Sequence, residues 1–262
     1  MKIGVFDSGL GGLVITKAFM DRLPEYDYLY LGDTRHLPYG EKTSGRILKY
    51  TLDALRWLIK NDCKLVIIAC NTATSVTLRY IQQKFIPAVA PEVKVLGVVI
   101  PTVETAVENG GRNIGVIATP ATVNSHIYRI ELQKLNNNLS VQELATPLLV
   151  PKIENNDFAD MENIVADYLR AFQGIDRLIL GCTHYPLIKE YCRKLLPQDA
   201  EVISQDELMG AKLADYLRRH TEIESCLNRN GNRRFCVTKL SPKACDVALR
   251  LIPGIKIEEV CF

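Results

Sequence analysis

The sequence predicts an α/β fold: two pseudo-symmetric lobes, each a mostly parallel sheet flanked by helices, with the functional site in the cleft between them. Three observations lead there. Short, unbroken apolar runs alternate with longer stretches whose apolar residues recur at helical spacing, the pattern of parallel strands joined by crossover helices. Two of those runs end alike. Leu65 to Ser75 reads LVIIACNTATS and Arg177 to Pro186 reads RLILGCTHYP, each a strand-like run followed by a cysteine and then by residues that favour turns and helix N-caps. The landmarks also keep their spacing. Cys182 follows Cys70 by 112 residues (182 − 70), and NIGVIAT from Asn113 follows KIGVFDS from Lys2 by 111 (113 − 2), which suggests an internal duplication. The expected lobes are residues 1–98 with 207–262, carrying Asp7 and Cys70, and residues 99–206, carrying Cys182 and His184.

In chain order, Lys2 to Phe6 is a strand ending in Asp7-Ser8-Gly9-Leu10-Gly11-Gly12, and Leu13 to Leu23 is a helix stopped by Pro24. The glycine-rich turn lacks the Gly-Lys-Ser/Thr ending of a phosphate loop and does not fit Gly-x-Gly-x-x-Gly. Its glycines are read as allowing a sharp turn and close approach to a small ligand. Tyr28 to Leu31 is a strand leading into Gly32-Asp33-Thr34 and on to Pro38-Tyr39-Gly40. Leu48, Leu52, Leu55 and Ile59 place an amphipathic helix over Ser44 to Lys60. The Cys70 strand, a helix to about Phe85 and a strand from Val93 to Ile100, closed by Pro101, complete the first plan.

The second plan repeats it. Asn113 to Ala118 is a strand, Thr119-Pro120-Ala121-Thr122 its turn, and a helix runs to Leu135. Val141 to Ala145 is a short strand, Pro147 to Glu154 a loop, and Met161 to Phe172 a helix. The Cys182 strand, a helix carrying Leu187 to Leu196 and a strand at Glu201 to Ser204 follow. Leu208 to Arg219 is a helix placed to return the chain to the first lobe. His220 to Arg234 reads as a loop. Phe235 to Thr238 and Ile255 to Val260 read as late strands, with a helix near Lys243 to Leu251 between them.

Composition narrows the function classes. A chain of 262 residues with 47% apolar content has enough material for one large core or two smaller ones. With 32 basic and 30 acidic residues there is no charge excess to attract nucleic acid. No run reaches the length of a membrane span, and Asp7 and the glycines interrupt the apolar start before it resembles a signal peptide. A cytoplasmic chain is expected, with neither nucleic acid nor membrane as partner. The first strand begins at once, so no long regulatory extension is expected. Eight cysteines without a Cys-x-x-Cys pair are weak grounds for disulfides. Cys63, Cys192 and Cys245 lie in or beside helical patterns and read as small apolar residues.

Cys70 and Cys182 differ, because turn-forming polar residues follow each. If the lobes face one another, the two thiols flank one cleft at strand carboxyl ends, where open α/β sheets bind ligands. Each precedes an expected helix start, which lowers a thiol pKa and makes a thiolate plausible at either. Asp7 and His184 are placed to trade protons with them. A cysteine phosphatase needs Cys-x5-Arg, and Val76 and Ile188 occupy those positions. Other chemistries stay open on the residues alone: a zinc site using Cys70, Cys182 and His184, a single Cys–His nucleophile, a redox pair, and two merely structural cysteines. A proton-transfer cleft accounts best for the Asn, Thr and Ser residues around the thiols.

Four stretches together carry a resemblance. Asp7-Ser8-Gly9 with Gly11-Gly12, Gly32-Asp33-Thr34 with Pro38-Tyr39-Gly40, Ala69-Cys70-Asn71-Thr72-Ala73-Thr74 and Leu180-Gly181-Cys182-Thr183-His184-Tyr185-Pro186 match in order and spacing across nearly the whole chain. In them the sequence resembles the bacterial glutamate racemases. The resemblance implies 1,1-proton transfer at glutamate with no cofactor and no metal: one cysteine, as thiolate, removes the α-proton and the other, as thiol, delivers one to the opposite face. It implies that Asp7 and His184 assist Cys70 and Cys182, and that Asp7 and Ser8 lie near the substrate ammonium. Asn71 and Thr72, with Thr119 and Thr122, would hold the α-carboxylate, and Tyr39 and Gly40 the side-chain carboxylate. Thr183 and His184 lie beside Cys182. Glu154 matches an acidic residue near the site, with a solvated surface role as the alternative. A homodimer and a role in supplying D-glutamate for peptidoglycan are further implications. An aspartate or broad-specificity racemase, or a non-catalytic amino-acid-binding protein, is the alternative function.

The sequence departs from that pattern in places. Arg35-His36 stands where Ala-Arg is usual, GVVIPT over Gly97 to Thr102 where GVIEPG is commoner, and Ser204-Gln205 where Asp-Ser is frequent. None of these is an expected proton donor or primary ligand. They bear on regulation and interfaces more than on chemistry.

Overall fold

A computed structural model describes residues 1–261, Asn109 by its backbone alone. Its strands are β1 (Lys2–Asp7), β2 (Tyr28–Gly32), β3 (Cys63–Ile68), β4 (Lys94–Gly97), β5 (Asn113–Ala118), β6 (Ser140–Ala145), β7 (Arg177–Gly181), β8 (Glu201–Ile203), β9 (Arg233–Val237) and β10 (Ile257–Glu259). Its helices are α1 (Gly12–Arg22), α2 (Ser44–Lys60), α3 (Asn71–Tyr80), α4 (Ile86–Val89), α5 (Val99–Val107), α6 (Pro120–Asn124), α7 (Ile127–Leu135), α8 (Leu149–Glu154), α9 (Met161–Leu169), α10 (Lys189–Leu195), α11 (Gln205–Arg219), α12 (Thr221–Glu224) and α13 (Pro242–Leu251).

The strands form two sheets, ordered β10-β9-β2-β1-β3-β4 and β6-β5-β7-β8, and every pairing is parallel. The order β2-β1-β3-β4 recurs as β6-β5-β7-β8, so the repeat read from the cysteine and strand spacing is also a repeat of topology. The inner strands β1, β2, β3, β5 and β7 are buried almost throughout because both faces are covered. Ile3, Val5, Leu65 and Ile67 pack with Leu13, Phe19 and Met209, while Phe6, Val66 and Ile68 pack with Leu55, Leu58 and Ala73. The smaller sheet does the same: Leu178 and Leu180 meet Met161 and Val165, and Val116 and Ile179 meet Val103 and Leu132. Helix α11 packs on α1 beside the larger sheet and on α5 beside the smaller one.

Three expectations are corrected. The strand expected over Val93 to Ile100 ends at Gly97, and Val99 opens α5 with Pro101 in its first turn. The loop expected over Pro147 to Glu154 contains α8, again with a proline, Pro151, in its first turn. A first-turn N–H has no intrahelical acceptor, so proline costs nothing there and marks a helix start rather than an end. The turn at Thr119 to Thr122 is α6, capped by the Thr119 hydroxyl, and the single helix expected beyond it breaks at His126, whose φ of 52° is left-handed. Among the described residues no helix is long and apolar enough to cross a membrane.

Candidate active site

The carboxyl ends of β1 and β3 in one sheet face those of β5 and β7 in the other. In each sheet the strand order reverses between these two strands, and a crevice opens at such a point. A cavity of about 40 Å³ lies there, lined by Ser8, Tyr39, Gly40, Cys70, Asn71, Thr72, Thr119, Cys182, Thr183 and His184 among others. Three more expected residues touch that lining from behind: Asp7, Thr122 and Glu154. A larger cavity of about 390 Å³, walled by Leu10, Leu37, Phe158 and Leu251, lies on the other side of the His184–Glu154 pair and reaches neither cysteine.

On one side, Cys70 caps α3. Its sulfur accepts the Ala73 N–H (3.4 Å) and lies 3.2 Å from the Ser8 hydroxyl. Asp7 ends β1 and is fully buried; its carboxyl accepts the Gly9 N–H at 3.0 Å and the Thr183 hydroxyl at 3.3 Å. Burial pushes the Asp7 carboxyl above its ordinary range, against the opposing pull of His184. Burial, with the Asp7 charge adding to it, pushes the Cys70 thiol up to about 12. The lowering expected from a helix start is present in the Ala73 contact, but burial outweighs it.

On the other side, Cys182 follows β7 directly. Its sulfur lies 3.7 Å from His184 Nδ1, and His184 Nε2 meets Glu154 Oε1 at 3.1 Å. Burial alone would lower the His184 pKa. Its hydrogen bonds to Cys182 and Glu154 overcome burial and raise it well above the ordinary imidazole value. Glu154 is therefore no mere surface acid: it is a quarter exposed and grips the imidazole.

Hydroxyls and a loop close the remaining walls. Thr72, Thr119 and Thr122 form a triangle of oxygens at 2.9, 3.1 and 3.4 Å that joins α3 to α6. Asn71 turns its carboxamide toward Tyr128 and Gln205. Tyr39 and Gly40 follow Pro38, and the Tyr39 hydroxyl donates to Asp33 (2.7 Å), which also accepts from Thr238 (2.7 Å) at the end of β9. Two glycines set how near the two sides come. A Cβ on Gly11 would stand 2.6 Å from the Thr183 hydroxyl and 2.8 Å from His184, and one on Gly40 would stand 2.8 Å from Thr119 Cβ. The glycine-rich turn thus serves close approach, as its sequence suggested, with the opposite wall of the cleft as the neighbour.

Sequence reasoning missed Gln205, Thr102 and Tyr128 as parts of this site. The only signal was that Thr102 and Gln205 fall among the departures from the commoner pattern. Of the other departures, Arg35 donates to the Thr238 carbonyl, His36 stacks on Tyr50, Ile100 is exposed, and Ser204 donates to Asp206.

The sequence profile of the Asp/Glu/hydantoin racemase family matches residues 15–205. The chain belongs to that family. Among its racemase relatives, the glutamate racemase of Trichodesmium erythraeum is 37% identical over 96% of this chain and 91% of its own length. The crystal structure of a glutamate racemase isoform from Bacillus anthracis superposes with a TM-score of 0.90 at 32% identity, covering 99% of this chain and 97% of that one. The glutamate racemase of Francisella tularensis, solved in complex with D-glutamate, gives a TM-score of 0.88 at 35% identity, with 99% and 97% covered. The α/β architecture of two helix-flanked parallel sheets is thus that of solved racemases.

Proposed function

We propose that the chain is a glutamate racemase, interconverting L- and D-glutamate by two-base 1,1-proton transfer between Cys70 and Cys182. The observation that carries this reading is one small cleft entered by two thiols, at equivalent strand ends of a repeated sheet, each with its own acid–base partner. A stereocentre inverts when a proton leaves one face and another arrives at the opposite face. In one direction the Cys182 thiolate takes the α-proton, the electron pair is held as the enediolate of the α-carboxylate, and the Cys70 S–H protonates the other face. The enzyme is left with a Cys182 thiol and a Cys70 thiolate, and the reverse direction restores it. No electrons leave the system, so the step balances without a cofactor. The protonated His184 supports the Cys182 thiolate by its positive charge, and Asp7 serves the Cys70 transfer.

The wall chemistry suits an amino dicarboxylate. Thr72, Thr119, Thr122 and the Asn71 amide supply donors for the α-carboxylate, Asp7 and Ser8 suit the ammonium, and backbone N–H groups at Tyr39 and Gly40 suit the distal carboxylate. A cleft of about 40 Å³ holds only a few waters at ~10–15 Å³ each, so glutamate enters as the lobes separate and is desolvated as they close. The lobes are taken as residues 1–98 with 207–262 and residues 99–206. We place the enzyme in the cytoplasm as a homodimer supplying D-glutamate for peptidoglycan.

Proton NMR of the protein with L-glutamate in D₂O, without added cofactor, followed by chiral analysis, tests the reading. Loss of the α-proton signal together with appearance of D-glutamate is expected. Exchange with aspartate instead would move the substrate, and silence with both in folded, reduced protein would overturn catalysis.

A further inference from the structure

Four side chains from four helices share one buried hydrogen-bond network beside Cys70. They are Asn71 at the start of α3, Thr102 in α5, Tyr128 in α7 and Gln205 at the start of α11, and none is more than 2% exposed. Only Asn71 lines the cleft. Asn71 and Gln205 form a reciprocal amide pair: Asn71 Nδ2 donates to Gln205 Oε1 at 2.8 Å, and Gln205 Nε2 donates back to Asn71 Oδ1 at 2.9 Å. The Tyr128 hydroxyl donates to the same Asn71 oxygen at 2.6 Å. Gln205 Nε2 also reaches Thr102 Oγ1 at 3.1 Å and the Tyr128 oxygen at 3.4 Å. Thr102 spends its own hydrogen on the Val98 carbonyl at 2.6 Å, which leaves its oxygen as an acceptor.

The hydrogen count is informative. A carboxamide offers two lone pairs on oxygen and two hydrogens on nitrogen. Both acceptor positions of Asn71 are occupied and one of its hydrogens is used. What remains for the cleft is a single N–H. The threonine hydroxyls nearby donate or accept by rotating, whereas an amide held at both ends has a fixed polarity.

We infer that Gln205 is a positioning residue: by holding the Asn71 carboxamide from both ends it makes Asn71 a donor, with no acceptor, toward the substrate's α-carboxylate. Turned over, Asn71 would set its oxygen against that anion, losing a hydrogen bond and adding repulsion. A carboxamide at position 205 donates and accepts at once, so it opposes the flip from both sides; a carboxylate there would only accept. Thr102 and Gln205, two departures from the commoner racemase pattern, are thus in contact and serve one function. The inference rests on the reading of the cleft as a glutamate site.

A double-mutant cycle tests it. Gln205→Met keeps side-chain length and removes both hydrogen bonds. It is expected to lower kcat/KM for glutamate about tenfold to a hundredfold, mostly through KM, in line with losing a hydrogen bond to a charged group. In an Asn71→Ala background the same substitution is expected to have little further effect, because Gln205 acts through Asn71. Additive losses, or an unchanged kcat/KM for the single variant, would overturn the proposal. If Gln205→Met does not fold, as judged by thermal unfolding, the uncharged Gln205→Leu, which also lacks both hydrogen bonds, takes its place in the same cycle with the same expectation. Racemisation by the unsubstituted protein is measured alongside, and its absence would sink the glutamate reading rather than the role of Gln205.

Discussion

Cys70 and Cys182 occupy the same place in two copies of one sheet and keep different company. Cys70 caps a ten-residue helix, accepts a backbone N–H, and has a hydroxyl and a buried carboxyl beside it. Cys182 precedes a short 3-10 turn and has an imidazole beside it, backed by a carboxylate. Burial and a neighbouring negative charge keep Cys70 a thiol, up at about 12. A histidine that holds its proton sets positive charge beside Cys182. On the proposed mechanism, duplication supplies two groups for two faces of one carbon, and divergence of their neighbours gives each group its own acid–base partner. The two thiols thus meet the proposed substrate from unlike surroundings, a carboxyl and a hydroxyl on one side and an imidazole backed by a carboxylate on the other.

The strongest way to break the comparison is to remove one thiol at a time. Cys70→Ser and Cys182→Ser are each expected to lower racemisation by about 10²–10⁴-fold, the span of general acid–base catalysis. Chiral turnover assays measure that loss. Solvent deuterium exchange then separates the halves: each variant should exchange the α-proton of one enantiomer only, and of opposite enantiomers. Full racemisation by either variant would end the two-thiol mechanism.

Next come the partners. His184→Asn and Asp7→Asn are expected to cost about tenfold to a hundredfold in kcat, each within the range for a positioned proton-transfer group. Enantiomers have an equilibrium constant of one, so kcat/KM stays equal in the two directions whatever is mutated. Asymmetry must therefore appear in kcat and KM separately, and in the α-deuterium isotope effect. His184→Asn should enlarge that effect where Cys182 is the base, and Asp7→Asn where Cys70 is. Equal changes in both directions for both variants would mean that the neighbours are not specialised.

A smaller effect comes from the glycines that bring the halves together. Gly11→Ala puts a methyl 2.6 Å from the Thr183 hydroxyl and 2.8 Å from His184. Relief requires the cleft to open, at about 1–3 kcal/mol, so KM should rise and the unfolding temperature fall. Gly45→Ala is the control. It lies in α2 with nothing within 4 Å of the added carbon, and it should stabilise by about 0.5–1 kcal/mol. Calorimetric unfolding of the pair reads both signs.

These contrasts also mark what the sequence could and could not convey. The strands and both cysteines were legible because a buried parallel strand is a run of apolar residues and its end is marked by turn formers. The two prolines misled: Pro101 and Pro151 look like stops, yet a helix accepts proline in its first turn. His184, Thr72 and Thr183 were legible as chain neighbours of the thiols, and the roles of Asp7, Thr119 and Thr122 through the family resemblance. Glu154 was half legible, since only folding brings α8 against His184. Gln205 was out of reach. It lies 134 residues from Asn71, and a polar residue opening a helix reads as a solvated cap until its burial is seen.

The least perturbing test leaves the sequence almost intact and varies pH. The raised folded pKa of His184 means that the folded chain holds a proton which the unfolded chain releases above about 6.5. Its contribution to stability is complete below that pH and is lost as pH rises through the folded value. The buried thiols Cys63, Cys70 and Cys192, each pushed up to about 12, act in the same sense from about pH 9 upward. Unfolding temperature should therefore fall in two stages as pH rises, first from the Cys182 side of the cleft and then from the thiols, at about 2–4 °C for each kcal/mol lost in a chain of this length. Glu154→Gln removes the carboxylate that helps His184 keep its proton. It should flatten the first stage and leave the second untouched, which differential scanning calorimetry across pH 6 to 10 would resolve. A first stage that persists unchanged in Glu154→Gln would mean that the imidazole owes its charge to Cys182 alone, and the two halves of the cleft would then be less distinct than their neighbours imply.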